Sequence, residues 1–180
     1  MRSRMRGPGA LRGLAGLGVI ALLLAGCSKP GSSSAGPEGT QSWSGLSRDH
    51  VDTPVDYEQD PPVGGPHART WQNCGFYDSR IEPEYAVHSL EHGAVWITYR
   101  PDLPEGDRAR IRELASQPYV LATPYEGLQE PVVVSAWGKQ LRLPSVGDPR
   151  LEEFLDAFRS GPQTPEPGAP CDGGVGRPAG

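Results

Sequence analysis

The chain has 180 residues, with 17 basic against 22 acidic side chains and 36% hydrophobic residues. That hydrophobic content supports one core of ordinary size. A net charge of −5 argues against nucleic-acid binding and against holding an anionic lipid surface by charge, because both call for the opposite sign.

The first segment carries Arg2, Arg4, Arg6 and Arg12, followed by an uncharged run from Gly13 to Gly26. This is the layout of an export signal. The run is 14 residues long, shorter than the roughly 20 that a helix needs to cross the hydrocarbon core of a bilayer. It ends in Leu24-Ala25-Gly26-Cys27, which resembles a bacterial lipobox: an apolar residue, two small residues, then a thiol that takes up diacylglycerol. A signal peptide over 1–26 and a lipid on Cys27 are therefore expected, with the protein anchored at the extracytoplasmic face of a cell membrane. More than one acyl chain is needed for lasting anchorage, at about 0.8 kcal/mol per buried methylene. Loss of the signal would leave 13 basic against 22 acidic side chains, so the mature form is still more acidic.

Residues 27–60 are rich in Ser, Gly, Pro and acids, with Trp43, Val51, Val55 and Tyr57 scattered among them. They read as a flexible tether. Pro61-Pro62-Val63-Gly64-Gly65-Pro66-His67 reads as an ordered loop entering a single domain over 61–171.

Pro83 suits a first helical position and Gly93 the residue past a helix end, predicting a helix over Pro83–His92. The β-branched and aromatic run Ala94–Tyr99 predicts a strand. Ile111, Leu114 and Ala115 give an amphipathic helix from about Glu105 to Ser116. Strands follow at Tyr119–Thr123, Val132–Trp137 and Gln140–Leu143, the last two joined at Gly138-Lys139. Asp148 can cap a helix opening with Pro149 and carrying Leu151, Phe154, Leu155 and Phe158 on one face. This strand, helix, strand, strand, helix order predicts a small α+β two-layer sandwich, with helices on one face of an antiparallel-leaning sheet. Residues 172–180 read as a disordered tail.

Three of the four histidines, His67, His88 and His92, lie close in sequence, with Cys74 and Glu91 among them. On a helix, His88 and His92 project from one face, where two imidazoles can grip one metal ion. Glu91 sits beside them, and His67 or Cys74 can complete the set. The expected metal ligands are thus His88, His92, His67 and Glu91. Imidazole and carboxylate suit zinc or copper(II), and the chain past residue 26 has no methionine to hold copper(I). His88-Ser89-Leu90-Glu91-His92 also matches the H-x-x-E-H pattern of inverzincins, a hydrolase alternative with Glu91 as base. That alternative is weakened by Gly93 and a strand following at once. Ser135 could in principle serve as a nucleophile near His88, but Ser135-Ala136-Trp137-Gly138 lacks the elbow pattern. With Cys27 lipidated, Cys74 and Cys171 are left in an oxidising compartment and are expected to form a disulfide, whereas a reduced Cys74 would be a metal ligand. The remaining alternative is a non-catalytic envelope interaction module in which these residues are structural.

Several phrases resemble domain-of-unknown-function family 3105: Pro61-Pro62-Val63-Gly64-Gly65-Pro66-His67, Cys74-Gly75-Phe76-Tyr77-Asp78, His88-Ser89-Leu90-Glu91-His92-Gly93-Ala94-Val95, Tyr99-Arg100-Pro101, Ser135-Ala136-Trp137-Gly138 and Pro165-Glu166-Pro167-Gly168-Ala169-Pro170-Cys171. The resemblance implies a bacterial extracytoplasmic domain, often behind a signal or membrane anchor. It implies no activity and no catalytic residues.

Overall fold

A computed structural model describes residues 36–179 of the chain. The expected signal peptide and Cys27 lie outside the described residues.

The central strand β5 (Val95–Tyr99) is buried along its whole length, as an apolar β-branched and aromatic run favours. It pairs in parallel with β6 (Val120–Pro124) and antiparallel with β7 (Val132–Ala136). A parallel pair needs a crossover, and α2 (Glu105–Ala115) supplies it. β7 turns through Trp137-Gly138 into β8 (Lys139–Leu143), with Ala136 opposite Lys139. Gly138 has φ 66°, and a Cβ there would lie 2.7 Å from the Trp43 carbonyl oxygen, so the tight turn requires glycine. Short strands β1 (Gln41–Ser42) and β4 (Gly75–Phe76) close the edges, giving the order β1-β8-β7-β5-β6-β4. A separate parallel pair joins β2 (His50–Val51) to β3 (His67–Ala68).

Alternation along the strands divides the core between the two faces of the sheet. Val95, Ile97, Tyr99, Val120, Ala122, Val132 and Val134 pack with Ile111, Leu114 and Ala115 of α2 and with Leu151, Phe154, Leu155 and Phe158 of α3 (Arg150–Phe158). Each fully buried side chain of this kind contributes about 1.5–3 kcal/mol. Trp96 and Leu121 point the other way, toward Ala86, Val87 and Leu90 of α1 (Pro83–Glu91), with Tyr77 and Trp137 beside them. The α+β sandwich is as expected, with α2 and α3 sharing a face. Helix α1 differs from that expectation by covering the opposite face. The reason is the sidedness of Trp96, whose indole needs both an apolar cover and a hydrogen-bond acceptor, the latter being Thr123 Oγ1 at 2.9 Å.

Composition misleads at both ends. Within the expected tether, β1 adds a strand to β8, the Trp43 amide donates to the Gly138 carbonyl at 2.9 Å, and the His67 amide donates to the Asp49 carbonyl at 3.0 Å. Within the expected disordered tail, Val175 bridges Gln72 and the Ala179 amide donates to the Phe76 carbonyl at 2.8 Å. The described parts of both segments, residues 36–60 and 172–179, make backbone hydrogen bonds to existing edges, which hydrophobic content does not register. Asp148 does serve the start of α3, accepting the Arg150 amide at 3.0 Å, and Arg150 holds its carboxyl below the usual range. Ser135 is fully buried in β7 with its hydroxyl accepting from Gln140, a structural role and not a nucleophile's.

Candidate metal centre

Pro83 stands at the first helical position of α1, where a missing amide hydrogen costs nothing. The helix is nine residues long, and its apolar stripe docks on Trp96 and Leu121. Its polar side is turned inward too: His88, Ser89, Glu91 and the capping His92 are all buried. Gly93 ends the helix at φ 104°, and a Cβ there would press on the Ser160 backbone at 3.1 Å. The stop is therefore sharp, which leaves His92 one turn above His88 with their Nε2 atoms 2.9 Å apart.

The Gly64-Gly65 loop brings His67 to the same place. Gly65 has φ 113°, and its carbonyl accepts from His67 Nδ1 at 2.8 Å. Gly64 lies so close to Leu46 and Trp137 that a Cβ would meet Leu46 at 2.7 Å. His67 is fully buried, with the Trp137 ring perpendicular to it at 5.9 Å between centroids.

One pattern recurs in all three buried histidines. Nδ1 of His67 faces the Gly65 carbonyl at 2.8 Å, Nδ1 of His88 faces the Ala68 carbonyl at 2.6 Å, and Nδ1 of His92 faces the Pro170 carbonyl at 2.7 Å. A carbonyl oxygen only accepts, so each Nδ1 must carry the hydrogen. With its hydrogen on Nδ1, a ring that carries no second proton presents an Nε2 lone pair to the interior. Those lone pairs meet groups that cannot donate to them: His88 and His92 face one another at 2.9 Å, and His67 faces Glu91 Oε2 at 3.0 Å. A proton or a cation must compensate each contact. Two donors about 2.0–2.1 Å from a single ion, at 90–110° to each other, are themselves about 2.8–3.4 Å apart. Backbone carbonyls on Nδ1 are also how metal-ligating imidazoles are held in one tautomer and orientation.

His50, His67, His88 and Glu91 each offer a donor atom, and these atoms all lie within 4.8 Å of one another. This group could hold a metal ion. His92 stands beside the four, in contact with His88. Of the expected ligands, the structure thus brings His67, His88 and Glu91 into one group, with His92 adjoining it, and adds His50, which the expected tether hid. His50 stacks on His88 at 5.0 Å between centroids and meets His67 edge-on at 4.9 Å. All four histidines of the chain therefore gather here, and that count is the one sequence signal that could have drawn attention to His50. Glu84, which shares the helix spacing with His88, instead accepts the Val55 amide at 2.8 Å.

Burial pushes the His88 imidazole down to about 4. The hydrogen bond to Ala68 works against this, and the His92, His67 and His50 rings add to the lowering. At neutral pH, His88 is accordingly an uncharged ring with its Nε2 lone pair available. Glu91 has both oxygens engaged, Oε1 by Arg48 Nε at 2.6 Å and Oε2 by His67. Arg48, raised further above its already high value mainly by that bond to Glu91, also reaches Glu166 at 3.0 Å. Trp71 walls the outer side, 4.8 Å from the His92 ring and 5.7 Å from His88.

Cys74 and Cys171 form a disulfide with their Cα atoms 5.4 Å apart, so Cys74 is not available as a ligand and a His2Cys site is ruled out in this state. The bridge does bear on the centre indirectly. Cys171 follows Pro170, whose carbonyl orients His92, and the Cys74 amide donates to the Cys171 carbonyl at 2.8 Å.

No curated protein and no solved structure matches the chain. A family model described as "Protein of unknown function (DUF3105)" matches residues 50–173, a span that begins on His50 and takes in all four histidines, Glu91 and both bridged cysteines. The chain belongs to that family.

Proposed function

We propose that this protein is a lipid-anchored, extracytoplasmic binder of one divalent transition metal, zinc or copper(II), held by His67, His88 and Glu91 with His50 and His92 alongside. The observation that carries the reading is the set of three buried imidazoles whose Nδ1 atoms are all committed to backbone carbonyls, turning their Nε2 lone pairs toward one another and toward Glu91. The donor set is imidazole and carboxylate, without thiolate or thioether, which suits zinc or copper(II). Holding and passing on an ion fits better than turnover, because a general base needs an oxygen free to take a proton, whereas Arg48 holds Glu91 Oε1 and Oε2 is turned to His67, where it would be a ligand of the ion. Lipid attachment is supported by the Leu24-Ala25-Gly26-Cys27 signal, and a Cys27→Ala chain recovered from the soluble fraction instead of the membrane would bear it out.

One observation favours the structural alternative. Arg48 Nε reaches Glu91 Oε1 at 2.6 Å and His67 Nε2 lies 3.0 Å from Glu91 Oε2, a hydrogen-bonded chain that a single proton completes without any ion. The His88 and His92 contact, with the two Nε2 atoms 2.9 Å apart, supports the metal reading, because a cation between the rings would satisfy both lone pairs at once. The test is to load the purified full-length chain with zinc or copper, dialyse it, and measure bound metal by mass spectrometry. One ion per chain, lost in His67→Ala and His88→Ala, is the expected result. A wild-type chain empty after loading with either metal would leave the structural module as the function.

A further inference from the structure

The four donors are not equivalent toward solvent. His67, His88 and Glu91 are all buried, at 0%, 4% and 1% exposure, whereas His50 is exposed. His88 and Glu91 belong to α1, anchored by the packing of Leu90 and Trp96, and His67 opens β3 just past the Gly64-Gly65 loop, fully buried against the Trp137 ring. His50 is carried by a strand of only two residues, paired with β3 alone. Its ring covers His88 and His67 from outside, through ring faces and edges.

A metal site closed by four buried ligands is structural and releases its ion slowly, whereas a site with a replaceable position exchanges. Resting on the metal-binding reading above, we infer that His50 is the exchange ligand, the position across which the ion enters and leaves by direct handover to an incoming nitrogen or oxygen chelator. The step is ligand substitution without redox change. A bond forms between the ion and the incoming donor, the bond between the ion and the His50 ring nitrogen breaks, and His50 departs as a neutral imidazole. The three buried donors stay bound until the acceptor has supplied enough bonds to replace them. The division of labour is specific: buried donors set how tightly the ion is held, and His50 sets how fast it is passed on. It also places the handover on the segment that leads back toward Cys27.

Transfer of zinc from the loaded full-length chain to the chromophoric chelator pyridylazo-resorcinol tests this. For wild type, the rate should rise with chelator concentration, as direct attack requires. His50→Ala should take up zinc less tightly than wild type, for want of one bond, but retain more than His67→Ala, and should pass it on faster by about 10- to 100-fold, the scale on which even the hydrogen-bond partners of ligands act. His67→Ala should instead lower the zinc retained at equilibrium. An unchanged transfer rate in His50→Ala would overturn the inference, and so would loss of zinc from that variant equal to the loss from His67→Ala. A wild-type chain that takes up no zinc would count against the metal-binding reading itself. Circular dichroism of His50→Ala should match wild type, since the substituted ring is exposed.

Discussion

Acidifying the metal-free protein is expected to destabilise it through His88 in particular, and the structure sets both the sign and the size of the effect. The His88 imidazole sits near 4 in the folded state against 6.5 for an unperturbed ring, chiefly because burial penalises its charged form. Between those values the unfolded chain binds a proton that the native chain refuses, so stability falls as pH falls. The loss begins as pH drops through about 6.5 and is complete below about 4. A shift of this size corresponds to roughly 3–3.5 kcal/mol at 1.36 kcal/mol per pKa unit. That is a large part of the stability of an ordinary domain, about 5–15 kcal/mol. The assay is urea unfolding with a chelator present, in steps from about pH 7.5 to 4, on wild type and on His88→Asn. The asparagine amide can keep the donor on the Ala68 carbonyl without titrating. The difference between the two proteins should shrink by roughly 3 kcal/mol across that range. A difference independent of pH would refute the argument that His88 is held neutral by burial.

Other consequences can be measured on the same preparation. Opening the Cys74–Cys171 bridge by Cys171→Ser releases a loop of 97 positions, and the chain-entropy relation gives a loss of about 4–5 kcal/mol in urea unfolding under non-reducing conditions. Because Pro170 orients His92, the same variant should also retain less metal after dialysis. Gly93→Ala forces a Cβ against Ser160 at a φ of 104° and should cost roughly 1–3 kcal/mol, read as a lowered thermal midpoint. Phe154→Ala, fully buried between α3 and the sheet, should cost about 3–5 kcal/mol in the same assay while leaving metal stoichiometry unchanged. Saturating metal at a hundred times its dissociation constant should raise unfolding stability by about 2.7 kcal/mol in wild type and by much less in His67→Ala.

The elements between Pro83 and Phe158 were legible because their signals are local. Pro83 and Gly93 bracket a helix by backbone conformation, Val95–Tyr99 is too β-branched and aromatic to be anything but a buried strand, and Leu151, Phe154, Leu155 and Phe158 recur at helical spacing. Helical periodicity likewise put His88, Glu91 and His92 together, since residues three and four apart share a face whatever else the chain does. Tertiary structure decided the rest. Nothing local says that α1 covers the face opposite α2, because that depends on which side of β5 Trp96 points. Nor does anything local bring His50 from a Ser, Gly and Pro-rich segment to within reach of His88. That approach rests on a parallel pairing of His50–Val51 with His67–Ala68 and on Arg48 reaching Glu91 across 43 positions of sequence. Backbone pairing and long-range ion pairs leave no period in a sequence. The three carbonyls that orient the imidazoles belong to Gly65, Ala68 and Pro170, and every residue has a carbonyl. Sequence determined which residue types were available to bind a metal, and the fold alone decided which nitrogen of each of the three buried histidines faces inward.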